Sequence, residues 1–276
     1  MSNWGKGVIN DIGWGQGANN DIGWGSIYDK SFSGDTLLGG GGIDLPFTLF
    51  VKTDNYGFSN DNQFRFSGVV GDYDVIAKQN GVTVQTFSDL SDTATITFSN
   101  GVGTYSLEVF PKEVNGFRDF RLQGGVDDDK DKDKVLKANL GTNVFWTEDL
   151  YQIFTNAENL SEILGVFENA SKIERMTRGF QQLNNLTIRP DVFKNAVNID
   201  RFDNCFLGTT LTVDTYSKML INLEATNIID NVPFHGGDSK YDPTITDSSM
   251  GSNLTTAQAL TNLENRGWTI TDNGPI

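Results

Sequence analysis

Cysteine, histidine and proline are scarce in this 276-residue chain, which has one cysteine (Cys205), one histidine (His235) and six prolines. A lone cysteine excludes an intrachain disulfide and a cysteine zinc cage, so it leaves the redox compartment open. A lone histidine means that any Ser-His-Asp triad has to be built on His235. The nearest serine, Ser239, has no nucleophile-elbow motif around it, so a loop histidine is the expectation. No run of 18 apolar residues is present, which excludes a spanning helix and predicts no membrane insertion. Positive charge is also short: 21 Lys and Arg stand against 36 Asp and Glu, a net charge of -15. Duplex binding needs a cationic face that displaces counterions, and no Lys/Arg cluster offers one, so no nucleic-acid partner is expected. Gly13-x-Gly15-x-Gly17 lacks the preceding strand and following helix of a phosphate loop. The run Asp127-Asp-Asp-Lys-Asp-Lys-Asp133-Lys lacks the glycine and the final acid of a calcium loop and reads as a solvated linker. No cofactor, metal site or catalytic residue is therefore expected, and the acidic residues offer no carboxylate in an apolar, pKa-raising context.

Glycine is plentiful, with 30 residues, and together with 37% apolar residues it favours turn-rich β structure. The clearest order lies in the second half, where Phe154, Phe167, Phe180, Phe193 and Phe206 follow one another at intervals of 13. Leu160, Ile173, Leu186 and Ile199 each follow a rung at an offset of six. Phe167-Glu-Asn169-Ala170-Ser-Lys-Ile173 and Phe193-Lys-Asn195-Ala196-Val-Asn-Ile199 share one pattern, so the true repeat is a double step of the ladder, from Phe167 to Phe193, made of two halves. One coil of a leucine-rich-repeat solenoid takes about 20–29 residues, a span that holds this double step, and buries its apolar face only against neighbouring coils. Ser161, Asn184, Asn185 and Pro190 interrupt each half-repeat before a helix could run. The five rings are thus the expected solenoid core, one continuous spine, with the Asn at rung plus two stacking as a ladder whose amides satisfy the bend. Cys205 is expected to point inward as a small buried thiol.

The N-terminal stretch holds a second repeat. Trp4, Trp14 and Trp24 lie ten apart within near-identical words, Asn10-Asp-Ile12-Gly-Trp14-Gly and Asn20-Asp-Ile22-Gly-Trp24-Gly. Flanking glycines oppose a helix, and so short a strip cannot bury three indoles against itself. Residues 1–38 are therefore expected to dock on a partner or on copies of the chain through Trp4, Trp14, Trp24, Ile12 and Ile22. Met1 to Gly7 carries no apolar h-region, so a route other than the usual export signal is expected.

Gly39 to Gly42 reads as a hinge, after which the apolar period becomes two: Phe47, Leu49, Val51; Phe64, Phe66; Tyr73, Val75, Ala77; Val82, Val84; Ile96, Phe98; Tyr105, Leu107, Val109. Short strands broken by turn words predict an antiparallel β-sandwich over residues 43–125, with hairpins at Asn80-Gly81 and Asn100-Gly101. The solenoid is assigned to residues 126–211 and a helical cap to 212–276. In the cap, Asp214 is read as the N-cap of a helix burying Tyr216, Met219, Leu220 and Leu223. A loop with His235-Gly-Gly-Asp238 follows, then a helix through Ala257, Leu260 and Leu263 that stops at Gly267, and a strand at Trp268-Thr-Ile270.

Three resemblances follow from these words. The ladder, with Asp191-Val-Phe-Lys-Asn195, Asn204-Cys-Phe-x-Gly208 and the cap, resembles the surface-antigen type of bacterial leucine-rich repeat over Val135 to Ile276. That type occurs in bacteroidete surface proteins and in structural proteins of their phages. Gly103-Thr-Tyr105-Ser-Leu-Glu-Val resembles the late strand of immunoglobulin-like domains of the polycystic-kidney-disease type, although the Trp-Gly-Asp-Gly word of that type is replaced here by Tyr73-Asp-Val-Ile-Ala-Lys. The tandem Gly-Trp-Gly words resemble N-terminal attachment segments of bacteriophage virion proteins. Together they imply a mainly β virion protein of fibre, spike or decoration type, non-enzymatic and homo-oligomeric. Residues 1–38 would hold other virion proteins, and the solenoid would face a host surface glycan or protein. The alternatives are a purely architectural joint within the particle, a bacterial surface adhesin and, last, a glycan-depolymerising enzyme.

Overall fold

Alternating apolar residues build the first half of the chain, and the phenylalanine repeat builds the second. The computed structural model describes residues 45–113, 116–122, 131–142, 144–183 and 185–276. The expected attachment arm, the glycine hinge, Asp127 to Lys130 and Asn184 lie outside the described residues. The strands are β1 (Phe47–Lys52), β2 (Gln63–Phe66), β3 (Asp72–Gln79), β4 (Val82–Ser91), β5 (Ala94–Thr97), β6 (Thr104–Pro111) and β7 (Phe117–Asp119). They continue as β8 (Val135–Asn139), β9 (Phe145–Asp149), β10 (Glu162–Leu164), β11 (Asn169–Arg175) and β12 (Thr187–Ile188). Helix α1 (Val213–Thr226), β13 (Pro233–His235), α2 (Thr256–Asn265) and β14 (Thr269–Thr271) complete a mainly β protein with short helices.

Strands β1, β6, β3 and β4 pair antiparallel, and the predicted apolar sets Phe47/Leu49/Val51, Tyr73/Val75/Ala77 and Tyr105/Leu107/Val109 are buried on them. The β2–β5 pair lies against this sheet through its aromatic rings: Phe66 meets Tyr73 edge-on at 5.4 Å, and Phe98 stacks on Tyr105 at 4.0 Å. Asn80 (φ 50°) and Gly81 (φ 79°) close the tight β3–β4 hairpin, the left-handed pair that a two-residue turn demands. Asn100-Gly101 differs from expectation. It is no hairpin but a turn that carries the chain from β5, in the small sheet, to β6, in the large one.

The large sheet does not end where the first half ends. On its other side β1 pairs antiparallel with β8, at Thr48↔Asn139, Leu49↔Ala138 and Phe50↔Lys137, and β8 is followed by β10 and β12 in parallel. Both edges of β1 are thus paired, and its residues from Phe47 to Val51 are buried on both faces. In return β7, which precedes residue 125, joins β9 and β11 as a parallel sheet. Residues Gly42–Ile276 thus form one compact unit whose buried apolar residues make a single cluster.

From β8 onward the chain winds in coils, and rows of backbone bonds join each coil to the next besides the turn bonds within each coil. The amides of Leu150, Gln152, Phe154 and Asn156 donate to the carbonyls of Arg175, Thr177, Gly179 and Gln181. Those of Met176, Arg178, Phe180 and Gln182 repeat the pattern to Arg201, Asp203, Cys205 and Leu207. Each donor reaches the carbonyl just before its own counterpart in the next coil, which lays equivalent positions of successive coils side by side. The five phenylalanines are all buried, but they form two columns rather than one spine. Phe154, Phe180 and Phe206 stack at 5.9 and 5.1 Å, and Phe167 stacks on Phe193 at 6.1 Å. Phe193 touches Phe180 at 5.9 Å and Phe206 at 6.3 Å, so the columns meet at the axis of the stack. Cys205 is buried, and burial pushes its thiol well above the ordinary value.

The rung-plus-two position is not the uniform amide ladder expected. Asn169 donates to the Val144 carbonyl and Asn195 to the Glu168 carboxylate, so neighbouring coils use that amide differently. Asn156, Gln182 and Gly208 instead supply left-handed backbone (φ 56°, 55° and 71°) at one corner of successive coils. A second such column, Gln152, Arg178 and Asn204 (φ 61°, 58° and 55°), turns the chain one corner earlier.

The charge run departs furthest from expectation, because its final stretch from Asp131 to Lys134 is not a solvated linker. Asp131 and Lys134 are buried, on either side of a short 3-10 turn. The Asp131 carboxylate accepts from the amides of Ser59 (2.9 Å) and Arg65 (2.6 Å) and from the Ser59 hydroxyl. Lys134 Nζ lies 2.9–3.1 Å from the carbonyls of Ser59, Asn60 and Gln63 and 3.8 Å from Asp131 Oδ1. Burial lowers the affinity of the ammonium for its proton, while Asp131, Asp61 and Asp54 raise it.

In the last segment the helix α1 starts earlier than expected. Thr212, not Asp214, is the N-cap and accepts from the Thr215 amide, while Asp214 pairs with Lys218 at 2.9 Å. Tyr216, Met219, Leu220 and Leu223 form its buried face. Thr255 and Gln258 close a capping box on α2, which buries Ala259, Leu260 and Leu263 but leaves Ala257 exposed. Trp268 is buried, and its indole N–H donates to the Ile229 carbonyl at 3.0 Å.

Phe180 touches both columns, so Phe180→Ala is expected to cost about 3–5 kcal/mol, read as a fall in the urea midpoint. Lys134→Met strands Asp131 and three carbonyls together, and a loss of about 3–5 kcal/mol is expected in the same measurement.

Candidate recognition surface

One row of backbone pairing runs along the coiled region and sets out one of its faces. Phe117 pairs with Trp146 and Asp119 with Asp149. Asp149 then pairs with Arg175, Arg175 with Arg201, Phe202 with Phe234, and Phe234 with Ile270, every step parallel. Side chains alternate across a strand, so Trp146, Phe202 and Phe234 fill the interior while Asp119, Asp149, Arg175 and Arg201 stand on the outside. Two positions further along each coil, Arg121, Tyr151, Thr177 and Asp203 form a second column, in which Thr177 is buried, and the register continues it to His235.

These two columns hold a charge network that crosses the coils. Arg121 engages Asp119 with two N–H groups, the Nε–Oδ1 bond being 2.8 Å, and lies 4.0 Å from Asp149. Arg175 Nη1 reaches Asp149 Oδ2 at 3.2 Å, and its Nε donates to Thr177 Oγ1 at 3.3 Å. The Thr177 hydroxyl passes the chain on to Asp203 Oδ2 at 2.9 Å, and Arg201 stands 3.8 Å from that same carboxylate. The Tyr151 ring joins Arg121 to Arg175, its centroid 5.1 Å from one guanidinium and 4.3 Å from the other. Burial pushes the Asp119 carboxyl above the usual carboxylate range, with Arg121 pulling the other way. Arg121 in turn is held above its ordinary value, because the bonds and charges of Asp119 and Asp149 outweigh the burial that opposes its charge.

The face is therefore sign-balanced and pre-paired. Arg121, Arg175 and Arg201 alternate with Asp119, Asp149 and Asp203, and the Tyr151 ring is already engaged by two cations. Exposed pairs of this kind are each worth about 0–1 kcal/mol, and their joint effect is to fix the geometry of the surface. A hollow of about 600 Å3 lies between the last coils and the start of α1, lined by Leu183, Leu186, Thr187, Gly208, Thr210 and Thr212 among others; none of the described lining residues is ionisable.

The structure distributes the sequence-derived residues unevenly. Phe154, Phe167, Phe180, Phe193 and Phe206 are buried and take no part in this face. Trp4, Trp14, Trp24, Ile12 and Ile22 lie outside the described residues. His235 and Ser239 are not brought together as base and nucleophile: His235 Nδ1 accepts from the Gly237 amide at 3.1 Å, and the buried Ser239 hydroxyl accepts from the Leu211 amide at 3.0 Å. The network itself escaped the sequence reading, although Tyr151, Thr177 and Asp203 recur at the period of the ladder and could have been found by it.

Arg175 holds the centre of the network. Arg175→Met is expected to destabilise by about 1–2 kcal/mol, part of it removed by 1 M salt. Arg175→Lys is expected to recover less than half, since an ammonium cannot reach Asp149, Thr177 and the Tyr151 face at once. Urea denaturation of the three proteins at two salt concentrations measures both effects.

Comparison with known proteins returns no matching family model, no matching curated protein and no matching solved structure.

Proposed function

We propose that this chain is a non-enzymatic bacteriophage virion protein, held in the particle by residues 1–38 and presenting a leucine-rich-repeat surface outward. In this reading β1 to β6 are an immunoglobulin-like module that serves as a spacer, and the coils are of leucine-rich-repeat type. The register of the ladder supports the second assignment, since a double step falls inside the span of about 20–29 residues that such coils use. The observation that carries the functional reading is the tandem Asn-Asp-Ile-Gly-Trp-Gly word. Tryptophans flanked by glycine supply large anchors with an adaptable backbone, and their repetition offers one anchor per copy of a partner. Stacked coils present regular rows of exchangeable outward positions on a fixed support, which suits recognition of a host surface glycan or protein.

The pre-paired network of arginines and aspartates favours a second reading, a purely architectural joint. A face whose charges already satisfy one another gains less from a new polar partner. Its contacts would then be with other virion proteins.

Deleting Met1 to Gly25 should leave a folded, soluble protein that no longer joins particles, measured by its presence in purified virions. Normal incorporation of the truncated chain would refute the anchor. Purified Gly42 to Ile276 should bind sensitive cells and compete with infection if the coils face the host, and an architectural joint should do neither.

A further inference from the structure

The loop between β1 and β2, residues 53–62, carries two of the most exposed aromatic rings among the described residues: Tyr56 is 78% exposed and Phe58 57% exposed. Exposed rings on a slack loop would mean little, but this loop is fastened at its middle. Gly57, between the two rings, lies directly on the buried Asp131–Lys134 pair. A Cβ added there would meet Asp131 Oδ1 at 2.5 Å and Lys134 Cε at 2.7 Å. Position 57 therefore faces inward, and its neighbours 56 and 58 face solvent. The next residue, Ser59, is gripped through its amide, hydroxyl and carbonyl by that same pair. Asn55 is tied by its amide to the Asp133 carbonyl at 3.3 Å, and the Arg65 guanidinium lies 4.7 Å from the centre of the Phe58 ring. The rings are thus presented on a backbone that is already ordered, which removes most of the entropic cost of using them.

The same loop carries Asp54, Asn60, Asp61 and Asn62, the first three exposed and the last half-buried. Asn60, Asp61 and Asn62 have no side-chain hydrogen bond to any described residue. Open amide and carboxylate groups beside exposed aromatic faces match a ligand that combines C–H surfaces with hydroxyls. A protein partner would need roughly 800 Å2 on this side, far more than two rings supply. We infer that residues 54–62 form a preformed saccharide-binding loop, in which Tyr56 and Phe58 stack on sugar rings and Asn60, Asp61 and Asn62 bond their hydroxyls. The carboxylate of Asp61 selects neutral or amino sugars and repels acidic glycans, while Asp54 is paired with Lys52 at 3.6 Å. The inference stands apart from the virion reading and places the saccharide contact on the β1–β2 loop of the first half of the chain, not on the outward rows of the coils.

Saturation-transfer NMR on the full chain tests it, with cellotriose, chitotriose and mannotriose as probes and sialyllactose as the acidic control. Transfer to at least one neutral trisaccharide and none to sialyllactose is expected. Tyr56→Ala and Phe58→Ala should each raise the apparent Kd by roughly tenfold while leaving the urea midpoint unchanged. Gly57→Ala, which pushes the loop off the ion pair, should weaken binding with both rings still present. Absence of transfer from every neutral probe to the folded protein overturns the inference. So does transfer that survives both ring substitutions, which would put the sugar elsewhere, or preference for the acidic control. Concentration-dependent self-association abolished by Tyr56→Ala would overturn it in favour of a contact between copies. None of these outcomes depends on whether the chain enters a particle.

Discussion

The hydrogen bond from each coil to the next is the constraint on which this protein depends. The amides of Leu150, Gln152, Phe154 and Asn156, and of their counterparts from Met176 to Gln182, are satisfied by carbonyls of the coil that follows. That requirement holds the coil length constant, and the constant length in turn brings the same ring over the same ring. Two columns of phenylalanine follow because a coil has two apolar corners, and the interval of 13 is the chain path from one corner to the other. Length is free to vary only where a coil is interrupted on purpose. The step from Phe202 to Phe234 is longer than the repeat because α1 is inserted within it.

A stack bonded in this way has two open ends, each a row of unpaired amides and carbonyls. At one end β1 covers β8 and β7 covers β9, so the strands of the first half complete the coils as well as their own sheet. Neither edge of β1 is therefore left open. At the other end the β13–β14 pair continues the parallel row, the Phe206 amide finds the His235 carbonyl at 3.0 Å, and Phe234 and Trp268 close over Phe202. A boundary drawn at residue 125 by composition therefore parts β1 from β8 and β7 from β9, strands that pair with each other, because turn words and charge runs mark where the chain leaves an element and not which edge it returns to.

Periodicity made much of this legible in advance. The apolar alternation placed the strands of the first half, and the interval of 13 marked the five rings as buried before any contact was known. Pairing that is not periodic stayed hidden. Nothing in Phe117-Arg-Asp119 shows that it will lie beside Trp146, since the interval from Phe117 to Trp146 does not match the repeat. Thr212 and Asp214 are both good N-caps, and only the position of the Thr215 amide decides between them. The outward Asp119–Arg121–Asp149–Arg175 network needed the register first, because charges become neighbours only once coils are aligned.

Asp131 and Lys134 show why a charged run can conceal core. Every residue from Asp127 to Lys134 is charged, with no apolar mark among them, which ordinarily means solvent. Yet the loop that follows β1 has carbonyls at Ser59, Asn60 and Gln63 that turn toward the interior, and buried carbonyls must find donors somewhere. An ammonium group brings three donors on a flexible stem and can gather all three, which no apolar side chain could do. Its desolvation costs several kcal/mol and is offset by those bonds and by the Asp131 carboxylate beside it. Because Lys134 leads directly into β8, the same group that completes the loop also fixes the loop to the first strand of the coils. The conformation around Tyr56 and Phe58 is consequently set by the coil stack, and a change in the register of β8 would be felt there first.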